Sequence, residues 1–331
     1  MAVSLACTNF ARVSKLKKTV SMHKSKCPVC GSSHTVRNGK RKGKQVYKCA
    51  DCGYQFRNDR LPDDLLLWKL YQDNKQTVKE LSEQFDVSES TIKRRLRNVS
   101  IEWKQPPLSG GGFVHLDATY WGRNWGIMLA LDDATGCVLY LEFIKNETNA
   151  DYESAVRSIE ERGYDIKGLI IDGRQSLFGI FNDYKIQMCQ FHMKQIIRRY
   201  LTLNPRLKAA RALKKLMDSL TTARQVAFEQ DYRAWKEEWK DMLNRRTQLK
   251  SGKTQYTHKR LRSAMHSIDF YLPYLFTCQT AACEGMPNTN NKIEGAFTDL
   301  KKNLNNHGGM AEENRKRFIC GFFLALIKPL A

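Results

Sequence analysis

Two C-x-x-C-G knuckles, Cys27–Gly31 and Cys49–Gly53, constrain this chain more than any other feature. Eighteen residues separate Cys30 from Cys49. Each knuckle is a tight turn that aims two sulfurs at one point, and the closing glycine permits the backbone to make it. Two knuckles at this spacing match a four-thiolate tetrahedral site for structural Zn2+. The segment between them reads as a hairpin turning at Asn38-Gly39 and flanked by Arg37, Lys40, Arg41, Lys42 and Lys44. Residues 23–60 are therefore predicted to be a zinc ribbon with a basic tip, after a basic leader over 1–22.

Residues 61–102 carry three stretches of helical periodicity, "DDLLLWKLYQDN", "TVKELSEQF" and "SESTIKRRLRNV". A short turn at Phe85–Val87 and a cap at Ser88 or Ser90 make the second and third a helix-turn-helix. In that geometry the first turn of the third helix, with Ser90 and Thr91, faces base edges. Lys93, Arg94, Arg95 and Arg97 then grip phosphates. Charge agrees: 55 Lys and Arg stand against 34 Asp and Glu, a formal +21. Residues 1–104 hold 22 of the basic and 10 of the acidic residues. Such an excess favours a polyanion; by charge alone an RNA or an anionic membrane surface fits as well as double-stranded DNA. No apolar run approaches the roughly 20 residues of a membrane span, and the leader lacks the long apolar block of a secretory signal. The expectation is a soluble, cytoplasmic and nucleoid-associated protein. Pro and Gly break all periodicity over 103–112, which reads as a linker.

Beyond it the pattern changes to strands. "GFVHLDATYWG" alternates, with His115, Asp117 and Thr119 on one face and Val114, Leu116 and Ala118 on the other. Two further strands, a helix, the apolar strand "KGLIIDG" and the strand "KIQMCQ" follow. The order βββαβαβα predicts a mixed sheet flanked by helices, as in the ribonuclease H-like fold, with the first and fourth strands adjacent. Asp117 and Asp172 then become neighbours. Close carboxylates raise each other's pKa unless a divalent cation sits between them. Asp132, Asp133, Glu142 and Asp183 compete for that role. Near the other end, "NTNNKIEGAFTDLKK" opens a helix with Glu294 in its first turn and Ile293, Phe297, Leu300 and Leu304 facing a core. Its carboxylate is either a partner for the helix dipole or a third metal ligand.

Asp117 in "HLDATY", Asp172 in "LIIDG", "CQFH" at 189–192 and Glu294 in "NNKIEGAFTDLKKNL" together resemble the DDE transposases of the Mutator-like superfamily. Bacterial insertion sequences encode members of that group, some with an amino-terminal zinc ribbon and helix-turn-helix. The resemblance implies a catalytic domain in two parts, 113–192 and 286–331, around an all-helical insertion over 193–285. It implies that Asp117, Asp172 and Glu294 bind two Mg2+, replaceable by Mn2+, and drive DNA cleavage and strand transfer at terminal inverted repeats. It leaves Cys189 and His192 as active-site support, a DNA contact or part of a metal site. Trp235 and Trp239 are expected to pack inward. Lys301, Lys302, His307 and 315–317 are expected on phosphates, and a homodimer or higher oligomer on DNA. Two other readings share these features: a transposase-derived regulator without catalysis, and a structure-selective nuclease of the same fold.

Overall fold

The computed structural model describes residues 26–27, 29–41, 44–56, 62–105, 107–122 and 124–325. The 1–22 leader and Lys42 lie outside them. The chain divides into two compact units. One comprises residues up to Glu102 together with Lys302–Phe322; the other comprises Trp103–Lys301 with the residues from Phe323 onward. The first unit thus takes in a stretch that the sequence reading assigns to the last part of the catalytic domain.

The first unit begins with an antiparallel ribbon of β1 (Thr35–Arg41), β2 (Lys44–Cys49) and β3 (Gln55–Phe56). Asn38-Gly39 is not the hairpin turn. It sits inside β1, where the register shifts between Arg37 and Lys40, and Arg41 already pairs with Lys44. Gly39 takes φ +73° there, the left-handed backbone that lets an extra residue bulge from a strand. Three helices follow, α1 (Asp64–Gln72), α2 (Val78–Phe85) and α3 (Glu89–Arg97). Thr77 and Glu80 form a reciprocal capping box at the start of α2, Asp86 turns the chain at φ 52°, and Ser88 caps α3. Leu67, Leu81 and Ile92 close the small core at 0% exposure.

In the second unit, β4 (Gly111–Trp121), β5 (Trp125–Asp132) and β6 (Val138–Ile144) form an antiparallel meander. Helix α4 (Asn149–Glu161) leads to β7 (Asp165–Ile171), and α5 (Gln175–Ile180) to β8 (Ile186–Met188). The sheet order is β6-β5-β4-β7-β8, with β7 parallel to β4 and β8 parallel to β7. This five-stranded mixed sheet is compatible with a ribonuclease H-like fold. Gly111 and Gly112, read from sequence as linker, already pair in β4 with Asp165 and Ile166. A Cβ on Gly111 would lie 2.5 Å from the Asp165 carbonyl oxygen. These glycines therefore serve close strand approach rather than flexibility.

Helix α6 (Gln190–Leu201) opens the insertion, which continues through α7 (Lys208–Ser219), α8 (Gln225–Glu238) and α9 (Lys240–Asn244). It is not all helical. A hairpin, β9 (Arg246–Gln248) and β10 (Thr254–Tyr256), precedes α10 (Lys259–Leu275). The turn between them contains Gly252 at φ 78°. The Arg246 and Arg262 guanidinium groups both lie over the Tyr256 ring, 4.6 and 3.7 Å from its centroid. The insertion shares one core with the sheet: Val114, Leu116, Leu169 and Ile171 join Leu213, Phe228, Trp235 and Ile268. Trp235 is buried and donates to the Ala209 carbonyl at 2.9 Å, and Trp239 packs on the same cluster. The opposite sheet face, with Phe113 and Ile170, is covered by Cys283 and Met286.

Helix α11 (Asn291–Asn305) then carries the chain onward, and α12 (Glu312–Leu324) ends the described part. Ile293, Phe297, Leu300 and Leu304 are all buried. Within the first unit, Gly321 lies so close to Gln72 that a Cβ would sit 2.5 Å from its Oε1. Arg317 donates to the Leu96 carbonyl at 3.1 Å and to that of Val99, so it satisfies carbonyls that the end of α3 leaves open.

Two expected DNA contacts are consequently spent inside this unit. Arg317 caps α3, and His307 is buried against Tyr71 and Phe318, with ring centroids 4.2 and 5.1 Å away. A third is Arg95, which pairs with Asp64 and donates to the Pro62 carbonyl at 2.9 Å. Arg95→Ala is expected to cost about 1–2 kcal/mol of stability, read as an earlier chemical-denaturation midpoint. An unchanged midpoint would return Arg95 to the DNA-facing set.

Candidate active site

The sheet register builds the site. His115 on β4 pairs with Ile170 on β7, the strands running parallel. Asp117 follows two residues later on β4, on the same face as His115, and Asp172 comes two residues after Ile170, just past the end of β7. Asp117 Oδ1 accepts from the Ala118 amide at 2.8 Å, and Asp172 Oδ1 from the Arg174 amide at 3.1 Å. Burial pushes the Asp117 carboxyl well above the usual carboxylate range. The charge of Asp172 adds to this, as do those of Glu147 and Glu294, against the Ala118 hydrogen bond.

Glu294 arrives from the far end of the chain because the Asn-rich turn is tied to the sheet. Asn290 is fully buried. Its Oδ1 lies 2.7 Å from His115 Nδ1, and His115 Nε2 lies 2.9 Å from Asp133 Oδ1. Lys292 Nζ reaches the same Asp133 oxygen at 2.9 Å. The Asn290 amide donates to Cys189 Sγ at 3.2 Å, and the Gln190 amide to the Asn288 carbonyl at 2.9 Å. Asn290 accepts the Glu294 amide at 3.1 Å, so the turn that grips β4 and α6 also begins α11.

Cys189 and His192, three apart at the start of α6, meet Glu294 there. Ligand atoms of all three lie within 4.8 Å of one another. His192 Nδ1 and Glu294 Oε1 are 3.6 Å apart, and both are buried without a hydrogen-bond partner. Burial raises the Cys189 thiol to about 11, opposed by the amides of His192, Asn290 and Phe191 that face the sulfur.

Glu147, which the sequence reading did not single out, adds its charge to those that raise the Asp117 carboxyl. It lies in the loop between β6 and α4, with no motif around it. Its Oε1 accepts from the Tyr152 hydroxyl at 2.8 Å and pairs with Arg174 at 3.3 Å. Arg174 also donates to Asn149 Oδ1 at 3.0 Å. The competing acids are occupied or remote. Asp132 holds the Thr135 amide at 2.7 Å and the Tyr164 hydroxyl at 2.5 Å. Asp133 serves His115 and Lys292, Glu142 accepts from Tyr140, and Asp183 is exposed.

The donors Asp117, Asp172 and Glu294 suit Mg2+, which takes oxygen ligands and keeps several waters. Among the described residues, however, Glu294 converges within 4.8 Å with Cys189 and His192, and the three acids do not form such a cluster by themselves. In the ribbon, Cys27 and Cys52 sulfurs are 3.6 Å apart, those of Cys30 and Cys49 3.5 Å, and all four lie within 4.8 Å. Tetrahedral coordination at a Zn–S distance of about 2.3 Å sets sulfurs about 3.8 Å apart, so the four thiols fit zinc. Gly31 and Gly53 both take φ 71°, as the knuckles require.

Of the residues expected on DNA, Arg37, Lys40, Arg41, Ser90, Arg94, Arg97, Lys301 and Lys302 are exposed. Lys93 is exposed too but pairs with Glu89 at 3.3 Å, and the Thr91 hydroxyl lies 3.0 Å from that of Ser88. Among the described residues no helix is long and apolar enough to cross a membrane.

Neither a protein-family profile nor a curated protein matches the chain. Among solved structures it is similar to one described as the Drosophila P element transposase strand transfer complex. That match has 12% identity and a TM-score of 0.36, over 83% of this chain and 94% of the other. At that level the likeness assigns no residue a role.

Proposed function

We propose that the chain is a DNA transposase of the Mutator-like DDE type. What supports this reading is Asp117 on β4 two residues beyond the His115–Ile170 pair and Asp172 directly after the end of the parallel strand β7, with burial and the charge of Asp172 holding the Asp117 carboxyl well above its usual range. In this reading the zinc ribbon and helix-turn-helix hold terminal inverted repeats, and the sheet domain cuts and joins strands. Asp117, Asp172 and Glu294 would hold two Mg2+, whose chemistry would be activation of water or a 3′-hydroxyl and charge stabilisation of the leaving oxygen.

The chain's own part is positioning. The β4–β7 register fixes the two aspartates, and the His115–Asn290 bond fixes the start of the helix that bears Glu294. Arg174 pairs with Glu147 through its side chain while its amide donates to Asp172. No side-chain nucleophile is required, so attack is in line on phosphorus without a covalent enzyme intermediate. Joining two element ends in one complex calls for at least a dimer on DNA.

The test is transfer of labelled terminal-repeat DNA into a plasmid with Mg2+ or Mn2+, wild type beside Glu294→Gln. That change keeps size and polarity and removes charge; a loss of roughly 10³-fold is expected. Equal transfer by both proteins would remove Glu294 from the site. Binding without transfer by either would favour a regulator. For binding, Arg94→Ala is expected to weaken all DNA sequences alike and to flatten the salt dependence by about one ion. A sequence-selective loss would put Arg94 on base edges instead.

A further inference from the structure

We propose that Cys189, His192 and Glu294 form a second zinc site, separate from the ribbon, which takes the carboxylate that the transposase reading assigns to Mg2+. The donor set is one sulfur, one imidazole nitrogen and one carboxylate oxygen, all within 4.8 Å. Thiolate and imidazole select a borderline-soft cation such as Zn2+ over Mg2+.

The strongest sign is a pair of atoms that avoid a hydrogen bond. His192 Nδ1 and Glu294 Oε1 face each other at 3.6 Å, buried and without other partners. Two ligands of one tetrahedral zinc, each about 2.1 Å from it, stand about 3.4 Å apart. The pair already has the spacing of metal ligands. Sulfur need approach by no more than about 1 Å to complete the set.

Local structure also suits a bound thiolate. Cys189 stands at the N-terminal boundary of α6, and its sulfur accepts the Asn290 amide at 3.2 Å. Amide donors and the positive end of a helix both favour sulfur as an anion, and a bond to a ligand atom from outside the set tunes the metal. His192 and Glu294 keep 27% and 30% of their side-chain surface, so a fourth position is open to water or to a substrate oxygen. With Glu294 drawn to zinc, the same carboxylate is withdrawn from Mg2+. That consequence rests on the transposase reading; zinc binding itself does not.

Zinc is counted on the purified full chain after equilibration with excess Zn2+ and removal of free ion, without DNA. Wild type is expected to hold two ions per chain, and Cys189→Ser and His192→Gln one each, the ribbon's. Retention of the ribbon zinc and an unchanged circular dichroism spectrum would show that the variants fold. As a check independent of any variant, Co2+ is added to wild type whose ribbon already holds zinc. A sulfur-to-cobalt charge-transfer band of single-thiolate intensity is expected. One zinc per chain in wild type, two in the variants, or no such cobalt band would each overturn the proposal. A transposase failing the strand-transfer assay could still pass this one, so the two readings fail separately.

Discussion

Asp117→Asn is expected to do two opposite things: abolish metal-dependent strand cleavage and stabilise the metal-free protein. The first follows from losing a charged ligand, a fall on the order of 10³-fold or more. The second follows from the cost of ionising Asp117 where it sits. Burial, then the charge of Asp172, holds this carboxyl well above the usual range in the folded chain. Below that usual range it is protonated in both folded and unfolded chains and makes no difference. As pH rises through the unfolded value, near 4, the unfolded chain gives up its proton while the folded chain keeps it. Stability is therefore lost from that pH up to the raised folded value. Asparagine carries no such cost. In chelator the variant should melt a few degrees above wild type at neutral pH, the order of effect of about 1 kcal/mol, and the gap should close as pH falls towards 4. Adding Mg2+ should narrow it again, because the ion stabilises only the chain that binds it. A variant that melts below wild type in chelator at pH 7 would contradict the crowding of negative charge.

The parts of this site that were legible in the sequence are those set by local rules. Alternation in "GFVHLDATYWG" sorted His115 and Asp117 onto one face, and the apolar run before Asp172 marked a strand buried on both sides. The β4–β7 pairing is parallel and adjacent as that reading expected, and it runs to His115 and Ile170, two residues short of each acid. Knuckle spacing fixed the four thiols that converge. What escaped were residues whose role depends on distant partners. Glu147 sits in an unremarkable loop and gains meaning only through Arg174 and Tyr152. Arg95 and Arg317 look like their exposed neighbours, but Asp64 and the carbonyls of Leu96 and Val99 claim them. Asn38-Gly39 carries a strong turn signal, yet pairing of Arg41 with Lys44 moves the reversal beyond it. The hairpin β9–β10 was hidden because short exposed strands have no apolar period to display.

Removing zinc from the ribbon should unfold it while leaving the sheet unit intact. The ribbon's apolar core among the described residues is small: Cys27, Cys49 and Phe56 with Tyr47 against them, and Val46 buried on β2. From Val36 onward β1 is exposed at every residue. So small a core cannot offset the entropy of ordering the hairpin, and metal must supply the difference. Structural zinc contributes on the order of 10–16 kcal/mol of apparent binding energy in comparable small units. Cys49→Ser, at the fully buried end of β2, should therefore free the β1 and β2 amides to exchange at nearly unfolded rates. The β4, β5 and β7 amides, in a core built without the ribbon, should keep their protection. Binding to DNA should weaken in the same variant, because Arg37, Lys40 and Arg41 lose the strand that aligns them, and its salt dependence should flatten. Hydrogen exchange of the two units side by side decides the matter: ribbon amides still protected after zinc is stripped would mean that side-chain packing alone holds β1 to β2.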